Sequence, residues 1–227
     1  MTEVDERQRL AGYFDALAPY YVSHAVPHTY YRARAADDIK RLARGAAVVL
    51  DIGCGPGHLT ADLPQRVRVY GTDLSAGMLE QARSSRPSGT YAVHDFHDPL
   101  PAGWPAADLV VAVGCFEFCR DLATTLRHLR TAARPNGRLL LAIPDADASP
   151  AADGGEVEGF VFHLWTRAAV EAALSEAALR LESYDAVPGW GTDAVGDFSY
   201  HWITARPEGQ RRAQPRRVRE RRSSKSD

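Results

Sequence analysis

The stretch that decides the fold is Val48-Val49-Leu50-Asp51-Ile52-Gly53-Cys54-Gly55-Pro56-Gly57-His58. From Ala47 to Ile52 it is short, β-branched and apolar except at Asp51, as a strand buried on both faces of a parallel sheet is. Three glycines follow with the spacing G-x-G-x-G. Glycines in such a turn permit positive φ and remove the side chains that would keep a ligand from the backbone. In an open parallel sheet, ligands bind beyond the carboxyl ends of the strands, where the strand order reverses. The spacing speaks against a dinucleotide, whose G-x-G-x-x-G fingerprint needs a third glycine where His58 stands. Asp51, two residues before the first glycine, disfavours a pyrophosphate and suits an ammonium or sulfonium ligand.

Working outward, four more strand-like runs follow: Val67 to Thr72, Thr90 to His94, Asp108 to Val113 and Arg138 to Ile143. Helix-like segments at Leu59 to Pro64, Ala76 to Ser85 and Asp121 to Ala133 alternate with them. Strands alternating with helices imply a parallel sheet covered on both faces. Upstream, helices are expected over Leu10 to Tyr21 and over about Tyr30 to Arg44, with Gly45 as a C-cap. Downstream, Pro144 to Glu158 is rich in Asp, Ala, Gly and Pro and reads as a loop or insertion. A helix from Thr166 to Ala178 follows, capped by Thr166. Two closing strands, Leu181 to Val187 and Ser199 to Arg206, flank a loop that projects beyond the sheet. The expected organisation is one domain over 1–205, with a helical cover over 1–45 and a lid-like insertion over 144–165.

Composition bounds the function. With 227 residues, 45% hydrophobic and 25% charged, the chain has the make-up of an ordinary globular domain. No apolar run approaches the ~20 residues that span a bilayer. The start, MTEVDERQRL, has no apolar core of a secretory signal. Cys54, Cys115 and Cys119 cannot all pair and lack zinc-knuckle spacing, so they read as reduced thiols of a cytoplasmic protein. The net charge is −2. Residues 206–227 hold nine Lys/Arg against three Asp/Glu, a local +6 that leaves −8 on the body. Such a body argues against a nucleic-acid footprint. The tail has almost nothing apolar to fold around and is expected to be disordered.

The ends of the next strands supply the chemistry. Asp73 closes the second strand about 20 residues past the glycine turn, where an acid accepts from both ribose hydroxyls. Asp95 and Phe96 follow the third, a polar group and an aromatic suited to an adenine edge and face. On these residues the chain resembles the class I S-adenosylmethionine-dependent methyltransferases, of the small-molecule kind assigned to types 11 and 25. LDIGCGPG resembles the family's first motif, GTDLSAGMLEQAR its second, HDFHDPLP its adenine loop, and DLVVAVGCFEFCRD with RPNGRLLLAIP its fourth and fifth. FDALAPYY resembles its N-terminal helix. The resemblance implies a Rossmann-like α/β fold, with a seven-stranded, mostly parallel sheet whose last strand is antiparallel. It implies S-adenosyl-L-methionine as methyl donor and S-adenosyl-L-homocysteine as product. By the same resemblance Asp51, Gly53, Gly55 and Gly114 belong to the cofactor site. Asp73 holds the ribose, Leu74 and Met78 flank the adenine, Asp95 and Phe96 contact it, and Tyr21 covers the methionine end.

A base is needed only when the acceptor must lose a proton. Relatives often carry a histidine after the glutamate that follows the fourth strand; here Phe118 stands in that place. The remaining candidates are His163, His201 and His28, each equally readable as structural. His94 and His97 superficially resemble a metal cluster with their aspartates, but no metal is expected. The resemblance places the acceptor pocket between the N-terminal helices and the insertion. Tyr13, Tyr20, Tyr30 and Tyr31 on one side, and Phe160, Phe162, Trp165 and Trp190 on the other, would give it aromatic walls. The expected acceptor is an O- or N-atom of an aromatic, natural-product-like metabolite of secondary metabolism, and the expected assembly a monomer or homodimer. Other readings are a non-methylating enzyme with the same cofactor (cyclase-like), an RNA methyltransferase recruited by the tail, a vestigial binding protein, and an NAD-dependent oxidoreductase.

Overall fold

The computed structural model describes residues 3–24, 31–148, 156–157, 159–192 and 196–209. Its centre is a sheet of seven strands: β1 (Val48–Ile52), β2 (Arg68–Asp73), β3 (Thr90–Val93), β4 (Ala107–Val113), β5 (Ala133–Pro144), β8 (Leu179–Thr192) and β9 (Gly196–Pro207). Two further strands, β6 (Glu156–Val157) and β7 (Phe160–Val161), form a separate small hairpin. The order across the sheet is β3-β2-β1-β4-β5-β9-β8, and β9 alone runs antiparallel to its neighbours. The expected Rossmann-like sheet with an antiparallel last strand is therefore what the chain forms.

Burial on both faces explains the apolar runs. Leu50, Ile52, Val110 and Leu141 face α5 (Leu122–Ala132) and α6 (Arg167–Glu176), where they meet Leu126, Leu129, Val170 and Leu174. The alternate residues Val49, Val111 and Leu140 face the opposite way, towards Ala35 and Ile39 of α3 (Arg32–Leu42). A side-chain period of two sends neighbouring residues to opposite faces, so a two-sided strand shows no alternation. Helix α4 (Ala76–Ser85) starts where Ser75 accepts from the Met78 amide, and α6 starts where Thr166 accepts from the Ala169 amide.

Three expectations need correction. The helix over Leu59 to Pro64 is a run of turns. Its carbonyls are taken by Arg86, which is only 2% exposed. The Arg86 guanidinium donates to Ala61 (3.0 Å), Leu63 (2.6 Å), Pro64 (3.1 Å) and Val67 (2.9 Å). A buried cation four carbonyls deep outweighs the weak helical preference of six residues. The projecting loop near Pro188 is mostly strand, because β8 and β9 continue pairing through Pro188↔Ser199 to Thr192↔Gly196. The first helix begins and ends earlier than expected, as α1 (Glu3–Leu17), with a separate single turn α2 (Tyr21–His24). Pro19 disfavours helix at the residue before it and donates no N–H, which separates the two. The insertion is tied down by a bridge between Asp145 and Trp165. Strand β9 continues through Arg206 and Pro207, past the expected boundary at 205, while residues 210–227 of the tail and His28 lie outside the described residues.

Replacing Arg86 with methionine keeps the volume and orphans four carbonyls. The expected result is a loss of roughly 3 kcal/mol, since a buried acceptor left unpaired costs ~1–3 kcal/mol and relaxation recovers part of the total. Urea denaturation of wild type and R86M measures it.

Candidate cofactor and acceptor site

The strand order reverses between β1 and β4, and both strands deliver a glycine-containing turn to that point. Gly53 has φ +62° and Gly55 φ +51°. A methyl group on Gly53 would lie 2.5 Å from Cβ of Cys115, so only glycine lets the β1 turn pack against the end of β4. Asp73, at the end of β2, reaches across to this turn. One carboxylate oxygen accepts from the Gly55 amide (2.8 Å) and the other from the Ser75 amide (2.9 Å). Burial raises its pKa against these two bonds, which favour the charge.

Asp95, after β3, is the most heavily engaged acid. The His97 amide (2.9 Å) and ring Nδ1 (2.7 Å) share one oxygen, and Arg7 of α1 pairs with the other (2.7 Å). Burial works against its charge, but His97 and Arg7 outweigh it and hold the carboxyl at about 2. His97 Nε2 accepts the Arg120 amide at 3.0 Å, so its proton resides on Nδ1 and is donated to Asp95. The His97 ring stacks on Phe96 at 4.5 Å. Histidine and aspartate here complete one another's hydrogen bonds.

These groups surround a cleft that opens to solvent. Tyr21, Gly53, Gly55, Asp73, Leu74, Met78, Asp95, Phe96 and Gly114 all line it. Asp51 does not. It is buried beneath the glycine turn, where Thr60 donates to it at 2.9 Å and burial pushes its carboxyl up to about 7. Tyr31 packs its hydroxyl under Gly114 and its ring on Tyr200 and Trp202. Tyr200 donates to the carboxylate of Glu117.

The catalytic candidates separate cleanly. His163 lines the cleft; His201 does not. His201 is fully buried, with Nε2 donating to the Trp165 carbonyl (2.7 Å) and Nδ1 accepting from the Tyr184 hydroxyl (3.0 Å), so neither nitrogen is left for an acceptor. Asp145, Asp147 and His201 bring ligand atoms within 4.8 Å of one another, but none of the three lines the cleft. The aromatic wall also differs from expectation. Of the aromatics named from sequence whose side chains are described, only Phe160 lines the cleft. Tyr31 and Phe162 are core, Tyr20 is exposed, Tyr30 and the Trp190 side chain lie outside the described residues, and Tyr13 and Trp165 pack behind it. Phe14 and Phe118 take their place, edge to face at 5.7 Å. Phe14 was legible only as one of the apolar residues on a helix face, and Phe118 only as a residue standing where relatives have histidine. Glu6, Arg7, His94, His97 and Arg120 complete the polar rim.

A glycine turn at the reversal of strand order, with acids at successive strand ends, defines a Rossmann-like nucleotide-binding protein. Comparison with known proteins narrows this. The family model described as a methyltransferase domain matches residues 50–141. The chain is 40% identical over 120 residues to a trans-aconitate 2-methyltransferase of Azoarcus sp. (strain BH72), covering 50% of this chain and 46% of that one. It is 32% identical over 148 residues to a malonyl-[acyl-carrier protein] O-methyltransferase of Enterobacter lignolyticus (strain SCF1), covering 64% and 57%. The chain thus spans about half the length of these curated relatives. Among solved structures, a DhpI–SAH complex superposes with a TM-score of 0.67 at 21% identity, over 92% of this chain and all of that one. Residues 50–141 match a methyltransferase domain, and the fold is that of the S-adenosylmethionine-dependent class I methyltransferases.

Asp51 makes stability depend on pH. An unfolded aspartate releases its proton near 3.9, and the folded one holds it to about 7. Its contribution is therefore full below about pH 4, falls as pH rises through this window, and is gone above about 7, by up to ~1.4 kcal/mol per pH unit. Asp51→Asn removes this term. The variant is expected to gain stability relative to wild type as pH rises from 4.5 to 7.5, read from paired urea denaturation curves.

Proposed function

We propose that the protein transfers the methyl group of S-adenosylmethionine to a small, aromatic acceptor bound in the same cleft. The observation that carries this reading is the convergence of Asp73, Asp95 and the Gly53–Gly55 turn on one cleft walled by Phe14, Phe118 and Phe160. When bound, the donor supplies an electrophilic methyl group on a positively charged sulfur.

The protein's part is placement. Asp73 keeps lone pairs for two ribose hydroxyls while its amide bonds hold it still. Leu74 and Met78 line the cleft and would wall the adenine, and Asp95 and Phe96 would meet its amino edge and face. Glycines at 53, 55 and 114 let the methionine portion approach the backbone, and Tyr21 closes that end. Asp51 stays beneath the turn, fixed by the Thr60 hydroxyl, and its part is to support that turn. Aligning two reactants and excluding water from between them is the larger share of catalysis in such a displacement.

The curated relatives are named for trans-aconitate and malonyl substrates, both carboxylates. A carboxylate acceptor would need a cation. Arg7 and Arg120 line the cleft, but Arg7 pairs with Asp95 and Asp98, and Arg120 with Glu6. The aromatic wall and these committed arginines favour a neutral aromatic acceptor. No described helix is long and apolar enough to cross a membrane. The reading further takes the chain to act on a free small molecule, as a monomer or homodimer, with residues 210–227 dispensable for it.

Calorimetric titration with S-adenosylmethionine, S-adenosylhomocysteine and NAD tests the core of this reading. Micromolar binding of the two sulfur nucleotides, none for NAD, and at least a ~100-fold loss in Asp73→Ala are expected, since two hydrogen bonds to a charged acceptor are worth ~3 kcal/mol or more. A folded protein that binds neither sulfur nucleotide refutes it.

A further inference from the structure

We propose that His163 is the general base of the transfer, and that the acceptor is therefore a phenolic hydroxyl that gives up its proton. This rests on the methyltransferase reading above and concerns the second half of the same cleft.

His163 reaches the site from the segment after β7. Its backbone amide donates to the Glu117 carbonyl at 2.8 Å. That bond sets it beside Phe118, the position where a histidine is missing after β4. The insertion thus returns an imidazole to the part of the cleft that the β4 turn left apolar. The ring lines the cleft, and Trp165 stacks behind it at 6.5 Å. Among the described residues, neither ring nitrogen of His163 has a hydrogen-bond partner, unlike both nitrogens of His97 and of His201. A half-buried polar group that faces a cavity with its hydrogen bonds unmade is placed to make them to a ligand.

The surroundings favour the neutral ring. Burial lowers its pKa first; Glu6 of α1 opposes this, and Arg120 and His97 add to it. Arg7 of α1 also lines the cleft, paired with Asp95 and Asp98, and Arg9 of the same helix sits over the Phe160 ring. A neutral imidazole offers a lone pair, and the apolar ring cluster of Phe14, Phe118 and Phe160 holds an aromatic acceptor against it.

In the step, the phenolic oxygen attacks the methyl carbon as the carbon–sulfur bond breaks. The bonding pair returns to sulfur, giving neutral S-adenosylhomocysteine, and a new carbon–oxygen bond forms. The phenolic proton passes to His163, which becomes imidazolium and releases it to solvent. A carboxylate acceptor would arrive without a proton and leave His163 idle, so the base and the acceptor class stand together.

The test uses the full chain, 4-methylphenol and catechol as phenolic probes that keep their proton at neutral pH, and trans-aconitate as the carboxylate probe. Methylation of a phenol, with kcat falling about 100-fold or more in His163→Gln at little change in KM, is expected. So is an acidic limb in wild-type kcat that rises with pH as His163 deprotonates and is absent from the variant. Independently of turnover, 4-methylphenol should shift the His163 Cε1–H proton resonance of the S-adenosylhomocysteine complex saturably. Methylation of trans-aconitate with the phenols untouched, retention of the acidic limb in His163→Gln, or an unshifted His163 resonance each overturn the proposal. His163→Gln should bind S-adenosylmethionine like wild type. Failure of the cofactor to bind wild type would instead defeat the methyltransferase reading itself.

Discussion

The carboxylate of Asp73 ties together the parts of this molecule that have to stay in register. It belongs to β2, yet it accepts the amide of Gly55 from the β1 turn and the amide of Ser75 at the start of α4. Two strand ends and a helix start are thereby fixed by one side chain. The price of this arrangement is a buried charge, and the two amides that satisfy it are the reason it is tolerated. Gly53 makes the same junction possible sterically, because any side chain there would collide with Cys115 at the end of β4. Strand order, turn conformation and acid placement are one constraint seen from three sides.

Helix α1 closes over that junction through polar contacts. Asp15 accepts from the Ser75 hydroxyl (2.6 Å) and the Gly77 amide (2.8 Å), capping α4 from another element. Arg7 pairs with Asp95, and Glu6 with Arg120. The apolar side of the same helix presents Leu10 and Phe14 to the cleft. Mixed contacts of this kind give a cover both a position and a lining. They also explain why the acids of the cleft are so heavily engaged: Asp95 alone serves α1, His97 and the cavity.

Much of this was legible in the chain. The apolar run at 48–52, the glycine spacing, and the acids at 73 and 95 report local requirements: a strand buried twice, a turn with positive φ, a polar group at a strand end. Thr166 caps the helix it precedes for the same local reason. Where an outcome depended on a distant partner, the reading failed. Residues 59–64 have a helical composition, but Arg86 claims their carbonyls from about 20 residues away. The stretch near Pro188 has loop composition, but its partner strand carries the ladder through it.

The sequence by itself determined the class of fold and which strand-end residues meet at one cleft, because each of those residues answers to its own neighbours in the chain. Only the tertiary structure decided which aromatic and histidine side chains join them there. His163 and His201 are indistinguishable as letters. One is sealed between Trp165 and Tyr184, and the other faces the cavity, because a single backbone bond to Glu117 carries the insertion across the end of the sheet. Likewise Phe118 and Phe14, from segments a hundred residues apart, become one wall while Tyr31 and Phe162 become core. Aromatic side chains suit a core and a pocket equally well, and which they enter depends on packing between elements that no local pattern encodes.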